Sequence, residues 1–266
     1  MVIGRNSPCP CMSGERFKNC CGVSGVWEDL ETNGLYYYDE SFALKVLLSK
    51  DKTFHKYYFS ERQKIRKRVY FLQSNNLQSS ASFGIYDDGY MIVNKHPHVK
   101  VEDSIHVAHE IGHLVLCSEG YKHVRFKNLE HNNKSIMHKN LNDMVYDPII
   151  NERLLKSDFD LESYLTLSDS IQMKITGNNP AGLFLLMTLF VKRVLDFRNI
   201  NPNISPDAII FNKMVIEKHP QLVHQSRRIL EIIDESGFKT SQEAEASLIE
   251  IINYLELKDL FYLNCI

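Results

Sequence analysis

The chain has 266 residues, 44% of them hydrophobic and 24% charged, with a formal net charge of -2. That is enough apolar content for one medium core with accessory elements or for two small domains, and the near-neutral balance, without an acidic or basic tail, gives nucleic acid no footing as a partner. The opening MVIGRNSPCP lacks the apolar core of a secretory signal, and the most apolar run, AGLFLLMTLFV at 181–191, is too short to span a bilayer, so a cytoplasmic protein with no membrane partner is expected.

The first segment, GRNSPCPCMSGERFKNCCG at 4–22, is rich in Gly, Pro, Ser and Asn and reads as loop. It holds four of the six cysteines: Cys9, Cys11, Cys20 and Cys21. In a reducing compartment, thiols packed this densely hold a metal more readily than they form disulfides. Four thiolates fill a closed tetrahedral zinc site of the structural kind, and so short a segment needs such a staple. Cys117 and Cys265 lie in apolar surroundings and read as small buried hydrophobes.

Residues 23–33 read as a linker. SFALKVLL (41–48) predicts a short helix, and ERQKIRKRVYFLQ (61–73) a second, with Arg62, Lys64, Arg66, Lys67 and Arg68 as a solvated face. SFGIYDDGYMIVNK (82–95) predicts a hairpin, because two β-rich runs flank Asp-Asp-Gly. A helix follows over 103–117, with Asp103 or Ser104 as its cap and Gly120 at its end. Residues 121–139 are polar and His-rich, and a further helix is expected from Leu141 to Lys156.

The remainder reads as helical. Asn179-Pro180 and Ser205-Pro206 each place a cap before a first-turn proline, His219-Pro220 divides two helices, and Thr240 with Glu243 forms a capping box. The apolar run 181–191 reads as a buried helix. No internal repeat or low-complexity tract is present.

Within the 103–117 helix, His109, Glu110 and His113 spell HExxH. Residues four apart share a helix face, so the two imidazoles can meet one ion while Glu110 projects to the side as general base. A random chain of this composition holds roughly 0.03 such matches. The flanks Val107, Ala108, Ile111, Leu114, Val115 and Leu116 are those of a core helix, where unpaired polar groups are costly. A catalytic zinc needs a third ligand. NDMVYDPIINERLL (142–155) offers Asp143, Asp147 and Asn151 on one face, with Glu152 one residue beyond. Asp147 is the favoured ligand with Asn151 supporting it, and Glu152 is the alternative. His123, His131, His138, Tyr121 and Tyr146 are candidates to stabilise an oxyanion by location alone. His106 reads as supporting or surface, and the His-Pro-His at 96–98 as loop.

GYMIVN, then IHVAHEIGHLVL, then an acidic residue with Asn four positions on, resembles the ImmA/IrrE-type zinc peptidases over about residues 82–156. Members usually place glutamate, in an ExxAN pattern, where this chain has Asp147 and Asn151. The resemblance implies an α+β fold: a minimal zincin-like core with a small antiparallel sheet and the HExxH helix. It also implies endopeptidase activity on a protein substrate, often a regulatory one, and by analogy a role in regulation or phage defence. GRNSPCPC with SGERFKNCCG resembles the SEC-C motif, known from the tail of the SecA translocation ATPase, where it docks a partner protein; Met12 stands where the motif usually has glycine.

The expected organisation is a zinc knuckle at 1–24, a metallopeptidase core at 33–160 and a helical region at 161–266, with one structural and one catalytic zinc. The expected function is a zinc metallopeptidase. A catalytically silent zinc-binding sensor or adaptor, docking partners through the knuckle, is the alternative, and hydrolysis of a non-peptide amide would use the same chemistry.

Overall fold

A computed structural model describes residues 5–6, 16–19, 35–38, 40–74, 81–85, 89–94, 99–127, 135–165, 180–199 and 206–264. The fold is helix-rich with small sheets, an α+β arrangement, and the chain divides into two compact units, Met1–Ser118 and Glu119–Ile266. Among the described residues no helix is long and apolar enough to cross a membrane.

The first unit is built on a four-stranded sheet of order β1 (Leu35–Tyr38), β2 (Arg68–Ser74), β4 (Gly89–Asn94), β3 (Ala81–Ile85). The expected hairpin is present: β3 and β4 are antiparallel, with Phe83 opposite Ile92. The sheet is mixed rather than antiparallel throughout, because β2 runs parallel to β4, with Phe71 opposite Ile92. Val69, Tyr70, Phe71 and Leu72 are all buried. Such a continuous apolar run belongs to an inner strand.

That strand corrects the helix expected over 61–73. The helix there is α3 (Lys52–Arg62), capped by Asp51, whose side chain accepts from the Phe54 amide at 2.9 Å. It ends at Arg62, the first of the basic residues, and burial of the Val-Tyr-Phe-Leu run outweighs the helical propensity of the lysines and arginines that follow. The basic residues are also not a simple solvated face. Arg62 Nε donates to Glu40 at 2.8 Å, Lys64 pairs with Glu61 at 2.7 Å, and Lys67 lies over the Tyr90 ring. The short helix expected at 41–48 is two pieces, α1 (Glu40–Ala43) and α2 (Lys45–Lys50).

Helix α4 (Ser104–Ser118) packs on α3, β3 and β4. A 3-10 turn over Val101–Asp103 runs into it, so neither Asp103 nor Ser104 acts as a simple cap. Gly120 has φ +90, the left-handed region that lets the chain leave the helix.

In the second unit α5 (Ser135–Lys156) packs along α6 (Pro180–Asn199), and α8 (Pro220–Ser236) packs on α6 and on α9 (Ser241–Tyr254). A further helix, α7 (Pro206–Lys218), packs on α6 and α8. Helices α6, α7 and α8 each begin at the expected proline. The Thr240–Glu243 capping box is complete. Residues 186–191 are buried, as the apolar run required.

One expectation fails here: the region after 160 is not all helical. β5 (His123–Phe126) pairs antiparallel with β6 (Phe261–Asn264), and α5 begins at Ser135. The pairing joins segments far apart in sequence, with Phe126 against Phe261 at 4.6 Å between ring centroids.

Ile92 is fully buried on an inner strand. Ile92→Ala should cost about 2–5 kcal/mol, read as an earlier unfolding transition in denaturant.

Candidate metal centre

In SIHVAHEIGHLVLCS of α4, the only ionisable side chains besides Cys117 are His106, His109, Glu110 and His113. His109 and His113, one turn apart, are 5% and 2% exposed. Their ring centroids lie 5.0 Å apart with the planes at 75°. Two elements hold this stretch. Phe83 of β3 stacks on His113 at 4.4 Å and 16°, which fixes the plane of that imidazole. Tyr57 of α3 donates its hydroxyl to the Ala108 carbonyl at 3.1 Å, which anchors the residue before His109. Glu110 is half-buried beside them. His106, also half-buried, is held below the ordinary histidine range by burial, against the attraction of Asp103 and Glu110.

On α5 the four-residue spacing of Asp143, Asp147 and Asn151 does place them on one face, and each is engaged differently. Asp143 accepts from Lys139 at 2.6 Å near the surface. Asp147, 5% exposed, accepts from the ammonium of Lys192 on α6. Asn151 is fully buried and donates Nδ2 to Asp196 Oδ1 at 2.9 Å. Burial pulls the Lys192 ammonium down, but Asp147, Asp196 and Asp143 outweigh it and leave it above the ordinary lysine value. Burial pushes the Asp196 carboxyl up, against Lys192, Arg193 and Asn151.

Lys192 and Asp196 follow the apolar run 181–191 on the same helix and are not part of the candidate site read from the sequence. A signal was available: charges directly following an apolar run, four residues apart.

Glu152, the rival to Asp147, has a different setting. It accepts from Lys156 at 2.7 Å and from Lys239 at 3.3 Å, and its side chain is 21% exposed. Burial works to raise its pKa, but the two lysines outweigh that and hold it below the ordinary carboxylate value. Among the described residues, His109, His113 and Asp147 are a set of buried donors that could hold a metal ion, and Glu152 is not in that set.

Among the described oxyanion candidates, the two tyrosine hydroxyls are engaged elsewhere and the two histidines pack against aromatic rings. Tyr121 donates its hydroxyl to the Lys239 carbonyl at 2.6 Å, and Tyr146 donates to the Lys122 carbonyl. His123 packs against Tyr146 at 5.1 Å and His138 against Phe126 at 5.2 Å. Cys117 is buried, as expected. Cys9, Cys11, Cys20, Cys21, Cys265, His131 and the His-Pro-His at 96–98 lie outside the described residues.

The N-terminus has identifiable relatives. Residues 5–22 match the SEC-C motif, a zinc-binding type of motif. Over 23 residues the chain is 65% identical to the protein translocase subunit SecA of Heliobacterium modesticaldum, and likewise to that of Wolinella succinogenes; the match covers 9% of this chain and 3% of each relative. It is 75% identical over 20 residues to a UPF0225 protein of Photorhabdus laumondii, covering 8% of this chain and 13% of the relative. The chain therefore spans only a small part of the curated relatives it matches. No solved structure matches.

A chain with Cys20→Ser and Cys21→Ser should lose one zinc ion, measured by elemental mass spectrometry, while far-ultraviolet circular dichroism keeps its helical signal.

Proposed function

We propose that the chain is a zinc-dependent endopeptidase acting on a protein substrate, with His109, His113 and Asp147 as metal ligands and Glu110 as general base. The observation that carries this reading is the pair of buried imidazoles, one turn apart and flanking Glu110, on a helix whose other buried residues from Val107 to Leu116 are apolar. Burying two imidazoles in an apolar helix is costly unless they are hydrogen-bonded or coordinate an ion, and coordination is the role their shared face suits.

The donor chemistry fits zinc. Two imidazoles and one carboxylate are a common catalytic ligand set, which leaves a position open. Zinc, when bound, supplies Lewis acidity toward water and a scissile carbonyl. Glu110 accepts the proton of the attacking water on its carboxylate and returns it to the leaving amine. His109 and His113 present their rings from adjacent turns, and Phe83 keeps that of His113 in plane. Two observations favour Asp147 over Glu152: the burial of Asp147, and the engagement of Glu152 by two lysines at the surface. The SEC-C motif supports a second, structural zinc bound by Cys9, Cys11, Cys20 and Cys21, on a knuckle that recruits the substrate or a partner.

Glu110→Gln should keep the native zinc content and lose about 10²–10⁴-fold in kcat/KM against cleaved peptides. Retained cleavage in that variant would remove Glu110 as the base, and a biological effect of the protein that survives the change without cleavage would give way to the adaptor reading, in which the knuckle docks partners and no bond is broken. The ligand set is checked by metal content. His109→Ala with His113→Ala, and separately Asp147→Ala, should each remove one zinc per chain, whereas Glu152→Ala should leave the count unchanged.

A further inference from the structure

The geometry points to Lys192 as the positioning residue for Asp147, an inference that rests on Asp147 being a metal ligand. Lys192 is largely buried, and its ammonium binds Oδ2 of Asp147. A carboxylate has two oxygens. With Oδ2 engaged by Lys192, a one-oxygen rather than a chelating mode of ligation is favoured for Asp147.

The lysine is part of a fixed frame. Residues four apart share a helix face. Asp147 and Asn151 are four apart on α5, and Lys192 and Asp196 are four apart on α6. Two rungs join them: Asp147 to Lys192, and Asn151 Nδ2 to Asp196 Oδ1 at 2.9 Å. Both rungs span the same sequence separation of 45 residues, so the two helices stay in register, one turn to one turn. Asp196 is braced further by Arg193 at 3.8 Å. The lower rung fixes the upper one, because a helix face that is pinned at 151 and 196 has little freedom at 147 and 192. Lys192 therefore sets the aim of the aspartate.

The test uses the full chain, stripped of metal and refilled with zinc or cobalt(II) against a competing chelator. A chain with His109→Ala and His113→Ala supplies the baseline for the knuckle. Lys192→Met should weaken the His109-dependent ion about tenfold or more. It should also change the visible cobalt bands in the difference spectrum, because the freed carboxylate can offer both oxygens. Lys192→Arg should restore both affinity and spectrum. Circular dichroism monitors folding, and Lys192→Gln, one atom shorter and uncharged, replaces the methionine variant if that chain does not fold. Native affinity and unchanged cobalt bands in either folded variant would overturn the inference and leave the peptidase reading standing. A native chain with no His109-dependent ion would overturn both.

Discussion

A lysine ammonium buried against carboxylates is the constraint on which the second unit depends. Lys192 and Asp147 lie in an interior where a lone charge costs several kcal/mol, so neither is stable there without the other. The pair dictates how α5 meets α6, and Asn151 and Asp196 repeat the join one turn on. A hydrophobic contact tolerates a slide of an ångström; two buried polar rungs do not. Apolar packing around Leu186 to Val191 provides the driving force, and the polar rungs select one register from those that packing alone would allow.

Polar groups inside apolar elements recur in the first unit. Helix α4 could have filled positions 109 and 113 with leucine and packed as well or better. It carries imidazoles instead, one of them pressed against Phe83 and the preceding turn tied down by Tyr57. Natural sequences depart from good packing where chemistry requires it. The same logic separates the two acidic candidates on α5: a carboxylate kept at the surface by lysines needs no special reason, whereas one kept in the interior does.

Much of this was legible in local sequence. The HExxH helix, the hairpin and the capping box at Thr240 are short-range features, each determined by a few neighbouring residues, and all three are present. Proline starts were equally plain. What escaped were features determined at a distance. Strand β2 follows a basic run that mimics a helix face, and it becomes a strand because β1 and β4 flank it. Strand β6 exists only because β5 is there to pair with it. The partner of Asp147 lies 45 residues away on another helix, so no local pattern could name it. The SEC-C spacing was visible at once because its four cysteines fall within a short stretch of sequence, Cys9 to Cys21.

The topology of the first sheet has a consequence for synthesis. All four strands fall between residues 35 and 94, and helix α4 begins only at 104. Every pairing of this sheet is therefore available to the emerging chain before His109 and His113 leave the ribosome. The local β3–β4 pair is the one to form early, since its ends are close and little loop entropy opposes it; β2 then adds alongside in parallel. Helix α4, the most apolar of the longer helices, emerges onto a platform that already exists. Its hydrophobic surface is covered soon after leaving the ribosome, and its exposure to aggregation is brief.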